Sequence, residues 1–129
     1  MSVARVYRIL CIEDEPDLRR DMVDELREHG FLVDDACNGE DALATFLERR
    51  PDLILCDIQM PLMSGTEFRA RLLDVEPGAS RIPFIFTTAF GQPFRNAAEN
   101  EVGHAGFMTK PIDYDELISL VRAKLGLTG

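Results

Sequence analysis

Residues Leu53-Ile54-Leu55-Cys56-Asp57 form a run of four apolar residues that ends abruptly at an acid. A strand with one solvated face alternates apolar and polar residues, whereas a strand covered on both faces is apolar throughout. This stretch therefore predicts a central strand of a parallel sheet with helices on both sides. An acid at the carboxyl end of such a strand lies where folds of this kind place their ligands.

Short apolar runs and segments with helical spacing alternate along the chain on both sides of this strand. The alternation is typical of a parallel sheet whose strands are joined by helices, so we predict a doubly wound α/β domain. The first helix lies between Pro16, which can open a helix, and Gly30, which can close one. The predicted strands are residues 8–12, a short strand from residue 31, and residues 53–56, 82–86 and 105–109.

Capping residues and apolar residues repeated along one face predict five helices in all. Asn38 caps the second helix, and Ser64 with Glu67 forms a capping box for the third. The fourth, from Gln92 to Val102, has the weakest apolar pattern. The residues expected to face the sheet from the other four helices are Leu18, Met22 and Leu26, then Ala42, Leu43, Phe46 and Leu47, then Phe68, Leu72 and Leu73, and finally Leu117, Ile118, Val121 and Leu125.

The composition limits the class of protein. The 129 residues suit one domain, and 14 basic against 23 acidic residues give a net charge of −9, which repels a nucleic-acid backbone. No segment resembles a signal peptide, and no apolar stretch approaches the ~20 residues of a membrane span. Cys11, Cys37 and Cys56 are interpreted as reduced and buried. We therefore expect a cytoplasmic, single-domain protein over residues 1–129, without direct nucleic-acid or membrane binding.

Polar residues follow four of the predicted strands: Glu13 and Asp14, Asp57, Thr87 and Thr88, and Lys110. The carboxyl ends of parallel strands meet at one edge of the sheet, so we expect these residues to converge. Two carboxylates ~4 Å apart repel by about 4 kcal/mol at an effective dielectric constant of roughly 20, and a bound cation relieves that repulsion. Oxygen ligands without His or Cys favour Mg²⁺, or Mn²⁺, over Zn²⁺.

Such a cluster is typical of phosphoryl transfer. A carboxylate beside a cation can attack a phosphorus atom, because the cation withdraws charge from the phosphoryl oxygens. The ammonium group of Lys110 and a threonine hydroxyl can stabilise further oxygens. Each residue alone has an ordinary interpretation, since acidic pairs usually mark loops and a lysine before proline is usually solvated. The prediction of a phosphoryl-transfer site depends on the combination.

Four segments in this order resemble the motifs of the response-regulator receiver family, over essentially the whole chain. The resemblance implies a flavodoxin/CheY-like fold, a five-stranded parallel sheet of strand order 2-1-3-4-5 with five helices. It also implies a signalling domain of a two-component or phosphorelay system that catalyses only its own phosphorylation and dephosphorylation. The segments are residues 9–16 (ILCIEDEP), residues 57–65 (DIQMPLMSG), Thr88-Ala89 and Lys110-Pro111.

The resemblance also implies roles for single residues. Asp57 would be the phosphoacceptor, which receives its phosphoryl group from a histidine kinase or a histidine phosphotransfer protein. Asp14 would bind the metal ion directly, Glu13 partly through water, and Gln59 through its backbone carbonyl.

Other roles concern the phosphorylated state. Thr88 and Lys110 would hold the phosphoryl group. Phe107 would fill the space that Thr88 leaves, so that the face of the fourth helix, fifth strand and fifth helix changes for a downstream protein target. Gln59 and Phe90 occupy the two positions that tune dephosphorylation in the family.

The sequence departs from the family pattern in three places. Most members carry Asp where this chain has Glu13, and Mg²⁺ demands near-ideal geometry. A bulky Phe90 is expected to obstruct an attacking water, so we predict a phosphorylated state that lasts at least minutes. Thr87 beside Thr88 leaves two candidates for the phosphoryl donor, of which the following Ala89 favours Thr88.

Three other functions compete with this one. A phosphatase of the haloacid-dehalogenase type also phosphorylates a strand-end Asp, but needs a second acid two residues on, where this chain has Gln59. A degenerate receiver would bind proteins without phosphorylation, with Glu13 as the lesion. A flavin carrier would need a phosphate loop after the first strand. The sequence leaves open the cognate kinase, homodimerisation through the fourth and fifth helices, and whether the chain acts alone or belongs to a larger regulator or hybrid kinase.

Overall fold

A computed structural model of the protein describes residues 5–90 and 105–127. Five parallel strands form one sheet in the order β2-β1-β3-β4-β5, which confirms the predicted topology. The strands are β1 (Arg8–Ile12), β2 (Leu32–Ala36), β3 (Leu53–Asp57), β4 (Phe84–Thr88) and β5 (Gly106–Thr109).

Helices cover both faces of this sheet. They are α1 (Pro16–Glu28), α2 (Gly39–Glu48), α3 (Gly65–Val75), a short 3₁₀ helix (Pro77–Arg81) and α4 (Tyr114–Lys124). The last of these, α4, is the helix predicted as the fifth. The helix predicted from Gln92 to Val102 lies outside the described residues. Within residues 5–90 and 105–127, every helix is too short or too polar to cross a bilayer.

The predicted helix caps are present. The side chain of Asn38 accepts a hydrogen bond from the Asp41 N–H at 2.8 Å at the start of α2. Ser64 and Glu67 form the reciprocal capping box of α3, each side chain bonded to the backbone N–H of the other. Capping satisfies N–H groups that a helix start otherwise leaves without partners, so these residues fix where the helices begin.

Two apolar layers lie on the two faces of the sheet, since alternate residues of a strand point to opposite sides. Every residue of β3 is buried, as the apolar run from Leu53 to Cys56 predicted. The layer under α1 and α4 contains Ile9, Cys11, Leu53, Leu55, Ile85 and Met108 from the strands, with Met22, Val23, Leu26, Leu117, Ile118 and Val121 from the helices. The layer under α2 and α3 contains Leu10, Ile12, Ile54, Cys56, Phe84, Phe86 and Phe107 from the strands, with Ala42, Phe46, Phe68 and Leu72 from the helices.

The predicted bounds of the fourth strand were wrong by two residues. Residues 82–86 were expected, and the strand runs from Phe84 to Thr88. The backbone N–H of Ile82 bonds to the Ala79 carbonyl at the end of the 3₁₀ helix, and Pro83 has no N–H to give to a strand partner. Thr87 and Thr88 therefore lie inside β4 and not beyond it.

Two residues expected in the core lie at the surface. Leu47 is 54% exposed. Ala42 and Phe46 lie on the buried face of α2, and Leu47 lies at the edge of that face. Cys37 is exposed between β2 and α2, whereas Cys11 and Cys56 are buried as predicted. The apolar pattern alone did not distinguish the edge of a helix face from its centre.

Candidate functional site at the carboxyl edge of the sheet

The structure brings together three carboxylates from the ends of two adjacent strands. Glu13 and Asp14 follow β1, Asp57 ends β3, and one carboxylate oxygen of each lies within 4.8 Å of the others. Glu13 and Asp57 are buried, with 0% and 2% of their surfaces exposed, and Asp14 is half-buried. This is the one such acidic cluster found among the described residues.

Lys110, which follows β5, also lies at this cluster. Its Nζ atom lies 2.9 Å from Glu13 Oε1 and 3.2 Å from Asp57 Oδ2. Its backbone N–H donates to the Thr88 carbonyl at 2.7 Å, and the Lys110-Pro111 peptide bond is cis. One ammonium group facing three carboxylates leaves the cluster with a negative charge.

Backbone groups and one arginine hold Glu13 in place. Its Oε2 atom accepts the Glu15 N–H at 3.1 Å, and its own carbonyl accepts the Arg19 guanidinium at 2.8 Å. The backbone N–H of Glu13 donates to the Ala36 carbonyl on β2. The Oε1 atom has no hydrogen bond of good geometry within the described chain, so the ion pair with Lys110 is its close polar contact.

Burial and the charge of Glu13 raise the pKa of Asp57 to about 7. Lys110 and a hydrogen bond from the Gln59 N–H to Asp57 Oδ1, 3.1 Å long, oppose that rise without cancelling it. Burial lowers the pKa of Lys110, but its contacts with Glu13 and Asp57 outweigh this and the net direction is upward. The lysine is therefore charged near neutral pH. A further positive charge beside Asp57 would stabilise its ionised carboxylate.

The cluster has the chemistry of a site for a hard divalent cation. Its donors are carboxylate oxygens only, and two of the three are buried close together, where their mutual repulsion is poorly screened. Mg²⁺ prefers oxygen ligands and commonly binds through one or two carboxylates with the rest of its shell filled by water. The residues present fit such an ion.

A second group of polar contacts joins β3 to the end of β4. The side-chain amide of Gln59 donates from Nε2 to Thr88 Oγ1 at 3.0 Å. Its Oε1 atom accepts from the Thr88 hydroxyl at 3.2 Å and from the Ala89 N–H at 3.0 Å. The Phe90 N–H also donates to Thr88 Oγ1, at 3.0 Å. No sequence pattern predicted this contact, because it depends on how the residues after the two strands are placed.

The family model of the response regulator receiver domain matches residues 9–122. The chain belongs to the receiver family. Receiver domains are signalling modules that bind a divalent cation and interact with histidine kinases and downstream effectors. This membership decides against the phosphatase and flavin-carrier alternatives.

Relatives agree with this assignment. The chain is 32% identical to protein PilH of Pseudomonas aeruginosa, over 92% of this chain and 97% of that protein. It is 34% identical to the probable transcriptional regulator ycf29 of Porphyra purpurea, over 90% of this chain and 55% of the regulator. The receiver thus spans about half the length of several curated relatives. The chemotaxis protein CheY4 of Vibrio cholerae superposes with a TM-score of 0.85 at 25% identity, over 92% of this chain and 98% of that one.

The two threonines of this receiver lie on opposite faces of β4. Thr87 pairs in register with Asp57, is fully buried, and its Oγ1 has no hydrogen-bond partner within the described residues. Thr88 is also buried, but its hydroxyl contacts Gln59 and the Phe90 N–H. The geometry thus favours Thr88 as the residue whose hydroxyl is directed to other polar groups.

Phe107 lies on the same sheet face as Thr88. It pairs with Phe86 across β4 and β5, and the two ring centroids are 5.6 Å apart. It is buried in the layer under α2 and α3. An inward movement of Thr88, two residues after Phe86, would therefore change the surroundings of the Phe107 ring.

Gly65 lets the loop after β3 approach the Asp57 backbone. A Cβ atom at this position would lie 2.5 Å from the Asp57 carbonyl oxygen and 3.1 Å from Cys56 Sγ. The Gly65 N–H also donates to the Ile58 carbonyl at 2.9 Å. The glycine in the sequence motif of the receiver is thus required by close packing against Asp57.

Proposed function

We propose that this receiver is phosphorylated on Asp57 by a histidine kinase or a histidine phosphotransfer protein, in a divalent-cation-dependent reaction. The observation that carries the proposal is the position of the Asp57 carboxylate. It is buried, lies within 4.8 Å of the Glu13 and Asp14 carboxylates, and its Oδ2 is 3.2 Å from the Lys110 ammonium group. Among the described residues, no other Asp has this combination of neighbours.

The chemical step transfers a phosphoryl group from nitrogen to oxygen. A carboxylate oxygen of Asp57 attacks the phosphorus of a phosphohistidine, an O–P bond forms, and the N–P bond breaks with its electron pair returning to the imidazole. Asp57 must be unprotonated to attack. The positive charge of Lys110 favours the ionised carboxylate and stabilises the charge on the phosphoryl oxygens.

Four groups of this chain would hold the cation. They are the carboxylates of Glu13, Asp14 and Asp57, and the backbone carbonyl of Gln59. Mg²⁺ is the expected ion and Mn²⁺ the substitute. When bound, it neutralises charge on the acceptor and on the incoming phosphoryl oxygens.

Thr88, Lys110 and Phe107 connect phosphorylation to a change of surface. A phosphoaspartate adds charge and acceptor oxygens, which attract the Thr88 hydroxyl and the Lys110 ammonium. Movement of Thr88 frees space that the Phe107 ring enters, and this changes the surface of β5 and α4; the predicted fourth helix of that face lies outside the described residues. A downstream protein responds if it binds one of the two states more tightly.

The remaining parts of the proposal come from the family resemblance and, for the charge, from the composition. Gln59 and Phe90 tune dephosphorylation, and the chain catalyses only its own phosphorylation and dephosphorylation. It forms a single cytoplasmic receiver domain over residues 1–129. Its acidic charge speaks against direct nucleic-acid binding, and homodimerisation upon phosphorylation is tested by the oligomeric state of the modified protein.

Intact-mass measurement tests the proposal. The protein is incubated with Mg²⁺ and acetyl phosphate, with Asp57→Asn and a metal-free sample in parallel. One added phosphoryl group that requires both Asp57 and the cation is the expected result. A folded protein that gains no phosphoryl group, beside a positive control that does, would instead support a degenerate receiver that acts by protein binding alone.

A further inference from the structure

The carboxamide of Gln59 makes contacts that the proposed phosphorylation step does not use, since only the backbone of this residue has a role in that step. Gln59 follows the acceptor by two residues, and its own N–H donates to Asp57 Oδ1 at 3.1 Å. Its side chain crosses to the end of β4 and contacts Thr88 and Ala89. One residue therefore contacts both the acceptor carboxylate and the end of the neighbouring strand.

The orientation of this carboxamide is determined by its partners. The Ala89 N–H can only donate, so the atom 3.0 Å from it must be the acceptor oxygen Oε1 and not the amide nitrogen. The Thr88 hydroxyl lies 3.2 Å from the same oxygen and 3.0 Å from Nε2. Two donors, one hydroxyl and one backbone N–H, thus converge on a single acceptor oxygen.

A phosphoryl oxygen is also an acceptor and would seek the same donors. In the proposed function, Thr88 donates to the phosphoryl group on Asp57, and the adjacent Ala89 N–H points to the same place as that hydroxyl. In the unphosphorylated protein, Gln59 Oε1 already occupies both donors. The carboxamide and a phosphoryl oxygen therefore compete for them.

The geometry points to Gln59 as an intramolecular latch, whose carboxamide occupies Thr88 and Ala89 in the unphosphorylated protein and must leave before they can receive a phosphoryl group. This inference rests on the proposed function and adds a regulatory step to it. Gln59 is then a positioning residue, because it acts through Thr88 and Ala89 and not on the reacting atoms.

The latch lowers the rate of phosphorylation more than it lowers the final extent. Hydrogen bonds to a charged phosphoryl oxygen are stronger than those to a neutral amide oxygen, so the phosphorylated form retains the two donors once it exists. Release of the carboxamide costs about one net hydrogen bond, which corresponds to a rate factor of about three- to tenfold. The Phe90 N–H, bonded to the same hydroxyl, follows Thr88 when the latch opens.

Two measurements on Gln59→Ala and Gln59→Leu test the latch. The first is hydrogen exchange of the Ala89 amide by NMR in the unphosphorylated, metal-free protein, which requires no phosphoryl chemistry. The second is the initial rate of phosphoryl incorporation from acetyl phosphate at saturating Mg²⁺, followed by intact mass. Leucine keeps the bulk of glutamine without its hydrogen bonds, so it separates lost hydrogen bonding from freed space. Leu62→Ala, a change at a fully exposed residue of the same loop, is the matched control.

We expect faster exchange at Ala89 and an initial rate about three- to tenfold higher in both Gln59 variants, with Leu62→Ala unchanged. Unchanged exchange at Ala89 would overturn the latch, as would an unchanged rate, or a rate raised by alanine alone. In each of those cases the wild-type protein still gains a phosphoryl group, so the proposed function stands. If no variant and no wild-type sample gains one, the proposed function and the latch fail together.

Discussion

The ammonium group of Lys110 lies 2.9 Å from Oε1 of Glu13, closer than the 3.2 Å that separates it from Oδ2 of Asp57. The lysine is therefore shared between the proposed acceptor and a neighbouring acid. In the proposed function, a phosphoryl group on Asp57 would draw the ammonium group partly away from Glu13. The side chain of Glu13 is longer than the Asp of most family members, so its length is expected to affect both cation binding and the position of Lys110.

Glu13→Asp is expected to tighten Mg²⁺ binding severalfold. The shorter carboxylate no longer reaches Lys110, and its oxygens become available to an ion with strict octahedral geometry. Titration with Mg²⁺, followed by NMR shifts or calorimetry, measures the dissociation constant. Glu13→Gln, which keeps the length and removes the charge, should weaken binding. Weaker binding in the Asp variant as well would show that the Glu13 carboxylate is already well placed for the ion.

The stability of the metal-free protein should fall as the pH rises from about 4 to about 7. The pKa of Asp57 is raised from 3.8 to about 7, so the folded state binds more protons than the unfolded state within this window. Asp57→Asn removes this contribution. Its gain in the free energy of unfolding over wild type should be near zero at pH 4 and on the order of 2–4 kcal/mol at pH 8.

Urea unfolding followed by circular dichroism at several pH values measures this difference. Asp74→Asn, a change at an exposed acid of α3, serves as the control and should show no comparable pH dependence. A gain for Asp57→Asn that is equal at pH 4 and pH 8 would contradict the raised pKa.

Thr87→Val should stabilise the fold by about 1 kcal/mol and leave the rate of phosphorylation unchanged. The Thr87 hydroxyl is buried without a hydrogen-bond partner in the described structure, and valine has the same shape without a polar atom. Thr88→Val should instead impair phosphorylation or its retention, since the proposed donor is lost. Intact-mass kinetics and urea unfolding of both variants distinguish the roles of the two threonines. If Thr87→Val impaired phosphorylation and Thr88→Val did not, Thr87 would be the donor.

Gly65→Ala should destabilise the protein by roughly 1–3 kcal/mol. The added methyl group would lie 2.5 Å from the Asp57 carbonyl oxygen, and backbone cannot move aside as easily as a side chain. Gly78→Ala is a suitable control, because its nearest neighbour is the flexible end of Arg50 at 3.3 Å. Thermal and urea unfolding report both effects, and equal stability of the two variants would argue against tight packing at Gly65.

The phosphorylated state is expected to last at least minutes, and Phe90→Ala to shorten it. The aromatic side chain follows the Thr88 end of β4 and is 53% exposed, where it can obstruct a water that approaches the phosphoryl group. The half-life is measured by intact mass after removal of acetyl phosphate. Val75→Ala, at an exposed apolar residue of α3, should leave it unchanged. A wild-type half-life of seconds would remove the basis for this role of Phe90.

Much of the fold was predictable because its signals are local. The apolar run of β3, the cap at Asn38 and the capping box at Ser64 each act through neighbouring residues, and each is present. The bounds of β4 were mispredicted because a proline and a 3₁₀ helix delay the strand, although Ile82 is apolar. An apolar residue does not by itself show whether its backbone pairs with a strand.

The site was predictable in part for the same reason. Glu13, Asp57 and Lys110 each end or follow a strand, so the parallel topology alone brings them to one edge. The contact between the Gln59 carboxamide and Thr88 was not predictable, since it depends on a side-chain conformation and on the placement of two loops. Strand ends predict which residues meet, and not which atoms pair.

The acidic cluster and Phe107 lie toward opposite faces of the sheet. Glu13, Asp57 and Lys110 continue the strand positions that pack under α1 and α4, whereas Phe107 packs under α2 and α3. The acceptor chemistry and the aromatic residue proposed to respond to it are thus separated by the thickness of one sheet. Thr88, whose hydroxyl is proposed to hold the phosphoryl group, lies on the Phe107 side, so it is the residue through which the proposed chemistry on one face of the sheet would reach the other.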